Sequence, residues 1–235
     1  MRISDLSRRT GVPVATIKFY LREGLLPPGR PTGRNQAQYD ETHVRRLLLI
    51  RALTGIGQLD LSTVLELLSV IEDDRVPLPA LYEATNRAIH PDPGGAKVVD
   101  DVSTARSEVD RFVDGLGWHV ESDAPGRNRL AQVLVALGEL GCGCGVDFFQ
   151  PYALLAEQFA DRELSMLPRH GGGVERAAAV ARTVLLDVAL SALRGMAQEH
   201  LVTRRFGDLA REGGAGGPRR PGQCPADGGP TADGD

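Results

Sequence analysis

Residues 2–26 read RISDLSRRTGVPVATIKFYLREGLL, two short helical patterns separated by a Gly-Val-Pro turn. Ser4 is a candidate N-cap for the first helix. The inward side of that helix would hold Ile3, Leu6 and Thr10. Gly11 tolerates the positive φ of a tight turn, and Pro13 suits a first helical turn because its missing N–H would have no partner there. The spacing therefore predicts two helices joined by a short turn.

The second helix is predicted over residues 13–23, with Gly24 ending it. Ile17 and Leu21 mark its core side, and the small residues at its start allow close approach to another molecule. Hydroxyl groups and cations on the other side are the groups that contact base edges and phosphates. The candidate contact residues are Val14, Ala15, Thr16, Lys18, Phe19, Tyr20 and Arg22.

A loop with the sequence LLPPGRPTGRNQAQYD follows over residues 25–40. Its three prolines and two glycines disfavour a helix, so we predict a short hairpin with cations near its tip. As the wing of a winged helix-turn-helix, it would lie along a phosphate backbone; as a plain surface loop, it would be solvated. The residues predicted to contact DNA from this wing are Arg30, Arg34, Asn35, Gln38 and Tyr39.

Two further helices are predicted before residue 73. Asp40 or Thr42 would cap the third helix, which Gly55 and Gly57 would close, and Asp60 would cap a fourth helix ending near Glu72. The apolar spacing in both predicts a face that packs inward. Residues 1–72 are therefore expected to form one winged helix-turn-helix domain.

Charge is distributed unevenly along the chain. Residues 1–54 carry ten Arg and Lys against four Asp and Glu, a net charge of +6, whereas residues 55–235 carry 17 against 27, a net charge of −10. A basic segment joined to an acidic remainder is typical of a polyanion-binding module attached to another function, because cations placed on phosphates release counterions.

The segments TGVPVATIKFYLREGLL and PGRPTGRNQAQYDETHVRRLLLIRALTGIGQLDLSTVLELL resemble the DNA-binding domain of the MerR family of bacterial transcription regulators. The resemblance covers about residues 2–71. The positions that match the family's pattern are Thr16, Ile17, Phe19, Tyr20, Glu23, Gly24, Leu25, Leu26, Tyr39, Asp40 and Val44. Three positions depart from it: Lys18 stands where arginine is usual, Leu21 where glutamate is usual, and Gln38 where a second arginine is common.

The resemblance implies a bacterial protein that binds double-stranded DNA as a homodimer at a two-fold symmetric promoter site. It also implies bending and untwisting of the promoter for use by RNA polymerase. By similarity, Arg45 and Arg51 would lie near phosphates, and Arg46 would either do the same or remain a solvated charge. The fold class expected is mostly α, a MerR-like winged helix-turn-helix followed by a dimerisation helix and an all-helical C-terminal bundle.

Residues 73–122 are interpreted as a linker, with one short helix over residues 79–88, followed by a helical stripe. The stripe consists of Val98, Val102, Ala105, Val109, Phe112 and Leu116. The family's antiparallel dimerisation helix implies that this stripe pairs with a second copy. The alternative is that it packs within its own domain.

Residues 123–206 are predicted to form a helical bundle that acts as an effector or interaction domain. The middle of its last helix, residues 184–197, is apolar nearly all round, which predicts burial against several partners. A bundle core is a common place for a ligand cavity, although such aromatics are usually plain core. The candidate ligand residues are Trp118, Phe148, Phe149, Tyr152 and Phe159. Alternatively, the bundle is a protein-interaction module that binds no small molecule.

We expect no metal site and no cofactor. Cys142 and Cys144 supply two thiolates where a closed zinc site needs four ligands, and Cys224 lies in a Gly- and Pro-rich tail, residues 207–235, predicted to be disordered. No nucleophile elbow or phosphate-binding glycine loop is present, so an enzyme is not expected. The basic N-terminal helix and the odd cysteine count favour the cytoplasm, without a membrane span.

Overall fold

A computed structural model describes residues 1–33, 36–91, 100–166 and 172–213, with the backbone alone described for 100–101 and 207–213. The chain divides into two units, residues 1–188 and residues 189–235. The domain divisions expected after residues 72, 122 and 206 stay predictions; helix–helix packing joins the first of these segments to later ones. Within the described residues, no helix combines the length and apolar character needed to cross a membrane.

The predicted helix pair is present. Helix α1 spans Ile3–Thr10 and helix α2 spans Val14–Arg22, with Gly11 at φ 69° ending the first. The predicted cap at Ser4 is wrong, because α1 begins two residues earlier: Arg2 is the N-cap and its N–H donates to the Asp5 carboxylate at 3.1 Å.

The predicted hairpin is also present. Strands β1, Arg30–Gly33, and β2, Gln36–Gln38, pair antiparallel with Arg30 opposite Gln38. Gly29 precedes β1 at a point of close approach: a Cβ there would lie 2.8 Å from the Gln38 carbonyl oxygen and 2.9 Å from Tyr39 Cε1. A glycine is therefore required where the chain enters the wing.

Helix α3 spans Glu41–Arg51 and continues as a π-helical turn, Ala52–Ile56. Of the two predicted caps, Asp40 is the one used, and its carboxylate accepts from the N–H groups of Thr42 and His43. Helix α4, Leu61–Glu72, is capped by Asp60 as predicted. These helices complete the N-terminal fold.

Two hydrophobic clusters hold this part together. The first joins α1, α2, the wing base and α3 through Leu6, Val12, Ile17, Leu26, Tyr39, Val44 and Leu47. The second centres on α3 and α4 and includes Leu81 from helix α5, Leu78–Ile89, together with Val180 and Val184 from helix α9, Gly173–Gly213. The first turns of α9 thus pack in the same hydrophobic cluster as α3 and α4.

Helix α6, Asp100–Gly115, packs on helix α7, Pro125–Glu139. Ala105, Val109 and Val113 are buried against Ala131 and Leu134. The described part of the stripe predicted for a second copy is therefore covered by α7 of the same chain, which agrees with the alternative of packing within its own domain; Val98 lies outside the described residues. An apolar stripe specifies that a face is buried and not what buries it, and α7 follows after only a short connection.

A 3-10 turn, Val146–Phe149, leads into helix α8, Gln150–Ser165, and α9 follows. Burial predicted for residues 184–197 is wrong beyond Leu186, because Val188, Leu190, Leu193 and Met196 are exposed. Helix α9 extends to Gly213, past the predicted start of the tail at residue 207; residues 214–235 lie outside the described residues.

Candidate nucleic-acid interface

Helix α2 presents a polar face because its opposite side is anchored in the core. Ile17 is fully buried, while Ala15, Lys18 and Arg22 are exposed. Val14, Thr16, Phe19 and Tyr20 are partly exposed at the edges of this face. Tyr20 also packs against both hydrophobic clusters, so its ring contributes to the core as well as to the surface.

Two cations extend from this face. No hydrogen bond or ion pair of the Lys18 side chain is present among the described residues, and the Arg22 guanidinium lies 5.2 Å from the centre of the Phe19 ring. Arg22 Nε also donates to Glu23 at 2.9 Å, but its side chain is 70% exposed. Exposed pairs of this kind are weak, so Arg22 remains able to change partners.

The wing places Arg30 and Gln38 side by side, and both are exposed. Its base is fixed to the N-terminus, because the Met1 ammonium donates to the Tyr39 carbonyl at 2.7 Å and Tyr39 N–H donates to the Met1 carbonyl at 2.9 Å. Sequence reasoning missed this role of Met1, since no local pattern reports a contact across 38 residues. Arg34 and Asn35, predicted at the wing tip, lie outside the described residues.

Tyr39, predicted as a DNA contact, is instead a buried residue of the wing base. Its ring is 8% exposed and makes an edge contact with His43, with ring centres 5.2 Å apart. Burial raises the pKa of its hydroxyl. The side chain therefore positions the wing from beneath.

The three arginines of α3 differ in exposure and in hydrogen-bond partners. Arg45 is exposed, as a phosphate contact requires. Arg46 is instead partly buried and donates to the Leu25 carbonyl and to Glu72, and burial lowers its pKa. Arg51 donates to the Thr10 carbonyl at 2.8 Å, which ties α3 to α1. Arg46 and Arg51 thus support the fold in this structure.

The two arginines of α1 are paired within the chain. Arg8 bonds to Asp5 at 2.6 Å, and Arg9 forms a two-pronged contact with Glu41 on α3. The hydrogen bond from Arg9 is the main cause of the lowered pKa of Glu41. These charges are neutralised locally, whereas no ion pair is present for Lys18, Arg30 or Arg45 among the described residues. Exposed cations without an ion pair among the described residues of the N-terminal fold therefore lie on α2, the wing and α3, with Arg2 a further one at the N-cap of α1.

The five aromatic residues predicted for a ligand site differ in environment. Trp118 and Phe149 are partly buried against the cluster shared by α6 and α7. Phe148, Tyr152 and Phe159 are exposed, and the rings of Phe148 and Tyr152 are 5.7 Å apart. The exposed aromatic rings of α8 therefore lie on the protein surface, whereas Trp118 packs against the hydrophobic cluster of α6 and α7.

The sulfur atoms of Cys142 and Cys144 lie 2.8 Å apart in the loop after α7. The hydrogen bond between the two thiols is the main cause of the raised pKa of Cys144. In the described part of the chain, no group of three or more His, Cys, Asp or Glu side chains is arranged to hold a metal ion.

Residues 1–70 match the family model described as MerR HTH family regulatory protein. The chain is 32% identical over 113 residues to the transcriptional regulator HmrR of Rhizobium leguminosarum bv. viciae, which spans 48% of this chain and 73% of that protein. It is 42% identical over 50 residues to a ZntR homologue of Haemophilus influenzae, which spans 21% of this chain and only 37% of that relative's length.

The likeness to one crystal structure extends over most of the chain. The proposed transcriptional regulator SCO5550 of Streptomyces coelicolor A3(2) is 37% identical and aligns with a TM-score of 0.67, covering 88% of this chain and 98% of that one.

Proposed function

This chain belongs to the MerR family of helix-turn-helix regulatory proteins, whose members bind DNA, and we propose that it is a homodimeric, sequence-specific transcription regulator. The observation that carries the proposal is the geometry of α2: Ile17 fixes the helix in the core, and Lys18 and Arg22 extend from its exposed side. The second helix of each protomer enters a major groove, and the wing lies along the flanking backbone.

The action proposed on the promoter follows from the family. Two protomers bind a two-fold symmetric site and bend and untwist the duplex, so that RNA polymerase can use both promoter elements. Because promoter DNA is the target, the proposed site of action is the bacterial cytoplasm. Control is exerted through the helices that follow residue 72.

We place the dimer contact on α9. The stripe of α6 is already covered by α7, whereas α9 exposes leucines at three- and four-residue spacing. The exposed stripe consists of Leu190, Leu193, Ala197 and Leu201, and the partly buried Leu186 precedes it at the same spacing. An antiparallel pairing suits this helix, because a parallel one would set Arg204 and Arg205 beside the same residues of the second copy.

The test of the DNA-binding face is a titration of Lys18→Ala with Arg22→Ala on the native upstream DNA at several salt concentrations. We expect the affinity for DNA to fall by about tenfold or more. The slope of log affinity against log salt concentration should become shallower, by the amount that corresponds to the loss of about two phosphate contacts. The matched control is Arg111→Ala with Arg129→Ala, which removes two exposed cations from α6 and α7. Equal salt slopes for both double variants would contradict the assignment of α2.

A second candidate function is supported by α8. Tyr152, Leu155 and Phe159 are 51%, 52% and 42% exposed and recur at helical spacing, which suits a protein-interaction module. On this alternative, Tyr152→Glu with Phe159→Glu abolishes a stoichiometric complex with a regulatory protein while DNA binding persists. If this double variant binds the partner as well as the wild type does, the second candidate function is wrong.

A further inference from the structure

A groove of about 620 Å³ lies between α3, α4 and the first turns of α9. Its volume falls within the range of about 300–1,000 Å³ that is usual for small-molecule sites. The lining is mostly apolar and includes Leu48, Leu49, Ala52, Val174 and Ala178. Leu48 and Val174 are 45% and 54% exposed, so apolar surface on both sides of the groove remains in contact with solvent.

The charged side chains that line the groove favour a ligand of negative charge. Arg45, Arg46 and Glu72 are its charged members, which leaves a net charge of +1. Arg46 is committed to Glu72 and to the Leu25 carbonyl, whereas Arg45 forms no ion pair in the described part of the chain, although its charge helps to lower the pKa of Glu41. The available partner for a ligand is therefore one cation beside an apolar surface.

We propose that this groove binds an amphipathic organic anion, with its apolar body between α3 and α9 and its carboxylate or sulfonate on Arg45. A charge-assisted hydrogen bond would fix the anionic end, and burial of rings or methylene groups would supply most of the affinity.

Ligand binding is coupled to DNA through the same arginine. This step rests on the proposed function, in which Arg45 contacts a phosphate. An anion held by Arg45 competes with that phosphate. The ligand also contacts both α3 and α9, and α9 is in turn held on α4 by Arg176, which donates to the α4 carbonyls. The bound state is therefore expected to bind DNA more weakly.

The probe for the groove is 8-anilino-1-naphthalenesulfonate, an apolar aromatic body with one sulfonate, titrated by fluorescence into the full chain. Its neutral counterpart is N-phenyl-1-naphthylamine. We expect one groove site per chain and a loss of about tenfold in affinity for Ala178→Trp, whose indole fills the groove. Leu140→Trp adds the same indole to an 83% exposed position that does not line the groove and should leave binding unchanged.

Arg45→Gln gives an independent check, because it removes the cation from an exposed position without filling the groove. We expect weaker binding of the sulfonate by about fivefold to tenfold and unchanged binding of the neutral compound. If both groove variants bind the dye as tightly as the wild type does, the proposal is overturned. The dye would then bind elsewhere, for example on the exposed middle of α9. No binding to the wild type, together with a change of oligomeric state in Ala178→Trp, would show that a second copy covers the groove and would also overturn it.

The coupling to DNA is measured separately. The sulfonate should weaken DNA binding by the wild type and not by Ala178→Trp, which keeps its DNA contacts. If the dye binds as expected and DNA affinity is unaffected, the coupling is wrong while the ligand site stands. If the protein binds no DNA at any dye concentration, the proposed function fails and the groove result remains valid.

Discussion

Gly29 shows how one missing methyl group determines the wing. A Cβ at this position would lie within 3 Å of both the Gln38 carbonyl and the Tyr39 ring. Gly29→Ala should therefore lower the free energy of unfolding by about 1–3 kcal/mol and weaken DNA binding, because the wing must shift. Urea unfolding and a DNA titration measure the two effects.

The matched control for that change is Gly138→Ala in α7, where nothing lies within 4 Å of the added atom. Alanine is the better helix former, so this variant should be as stable as the wild type or slightly more stable. A Gly29→Ala protein with wild-type stability and affinity would show that the close approach is relieved without cost.

Asp60 gives α4 a pH-dependent cap. The hydroxyl of Ser62 and the Thr63 N–H donate to its carboxylate, and these bonds, the Ser62 one first, lower the pKa of Asp60 to about 2. Because the unfolded carboxyl has a pKa near 3.8, the unfolded state binds more protons between these values. The stabilisation is complete above pH 4 and is lost as the pH falls towards 2.

Asp60→Asn retains a capping side chain but removes the titration. We therefore expect the wild type to exceed Asp60→Asn in urea midpoint near neutral pH, and the difference to shrink between pH 4 and pH 2. Midpoints measured across that range check the expectation. A constant difference at every pH would show that the carboxylate charge at this cap contributes nothing.

At the scale of elements, Arg176 joins α9 to the end of α4. The side chain is 8% exposed, and it donates to the carbonyls of Val70, Ile71 and Val76 at 2.8–3.0 Å. These carbonyls belong to the last turn of α4 and the loop after it, where no further helical turn supplies N–H groups. One guanidinium thus fixes the position of α9 on the N-terminal core.

Arg176→Met should lower the free energy of unfolding by about 3 kcal/mol, because one buried and two partly buried carbonyls lose their charged donor. Denaturant unfolding followed by helical circular dichroism measures the loss. Arg194→Met, an exposed arginine further along α9, is the control and should change stability little. Similar losses for the two variants would contradict the role assigned to Arg176.

At the scale of the whole molecule, dimer formation and DNA affinity are linked. Leu193→Glu with Leu201→Glu introduces charges into the exposed stripe of α9 and should convert the dimer to a monomer in analytical ultracentrifugation. Affinity for a two-fold symmetric site should fall by about 100-fold or more, because the second half-site is no longer bound intramolecularly.

The control for the dimer contact places the same charges on α7 through Val133→Glu with Leu140→Glu, at positions 43% and 83% exposed. This variant should keep the mass and DNA affinity of the wild type. A dimer that survives in the α9 variant would move the interface to another surface.

Much of the N-terminal fold could be predicted from the sequence, because its signals are local. Gly11 and Pro13 mark the turn, Asp40 and Asp60 cap helices within three residues, and the prolines of the wing exclude a helix. The MerR resemblance of residues 2–71 was confirmed for the same reason. Local spacing also predicted the short helix after residue 72 and the helical character of residues 123–206.

The partners of those helices were decided by tertiary structure alone. Periodicity shows that a face is apolar, yet α6 was covered by α7, while the apolar middle of α9 remained exposed. The sequence also did not show which arginines are free to bind DNA. Arg45, Arg46 and Arg51 occur together in one helix, and the packing of the chain directs Arg46 and Arg51 to carbonyl groups. The sequence determined which elements form, because capping and spacing act within a few residues. The tertiary structure determined what each face contacts, because burial depends on chain segments that can lie more than a hundred residues apart.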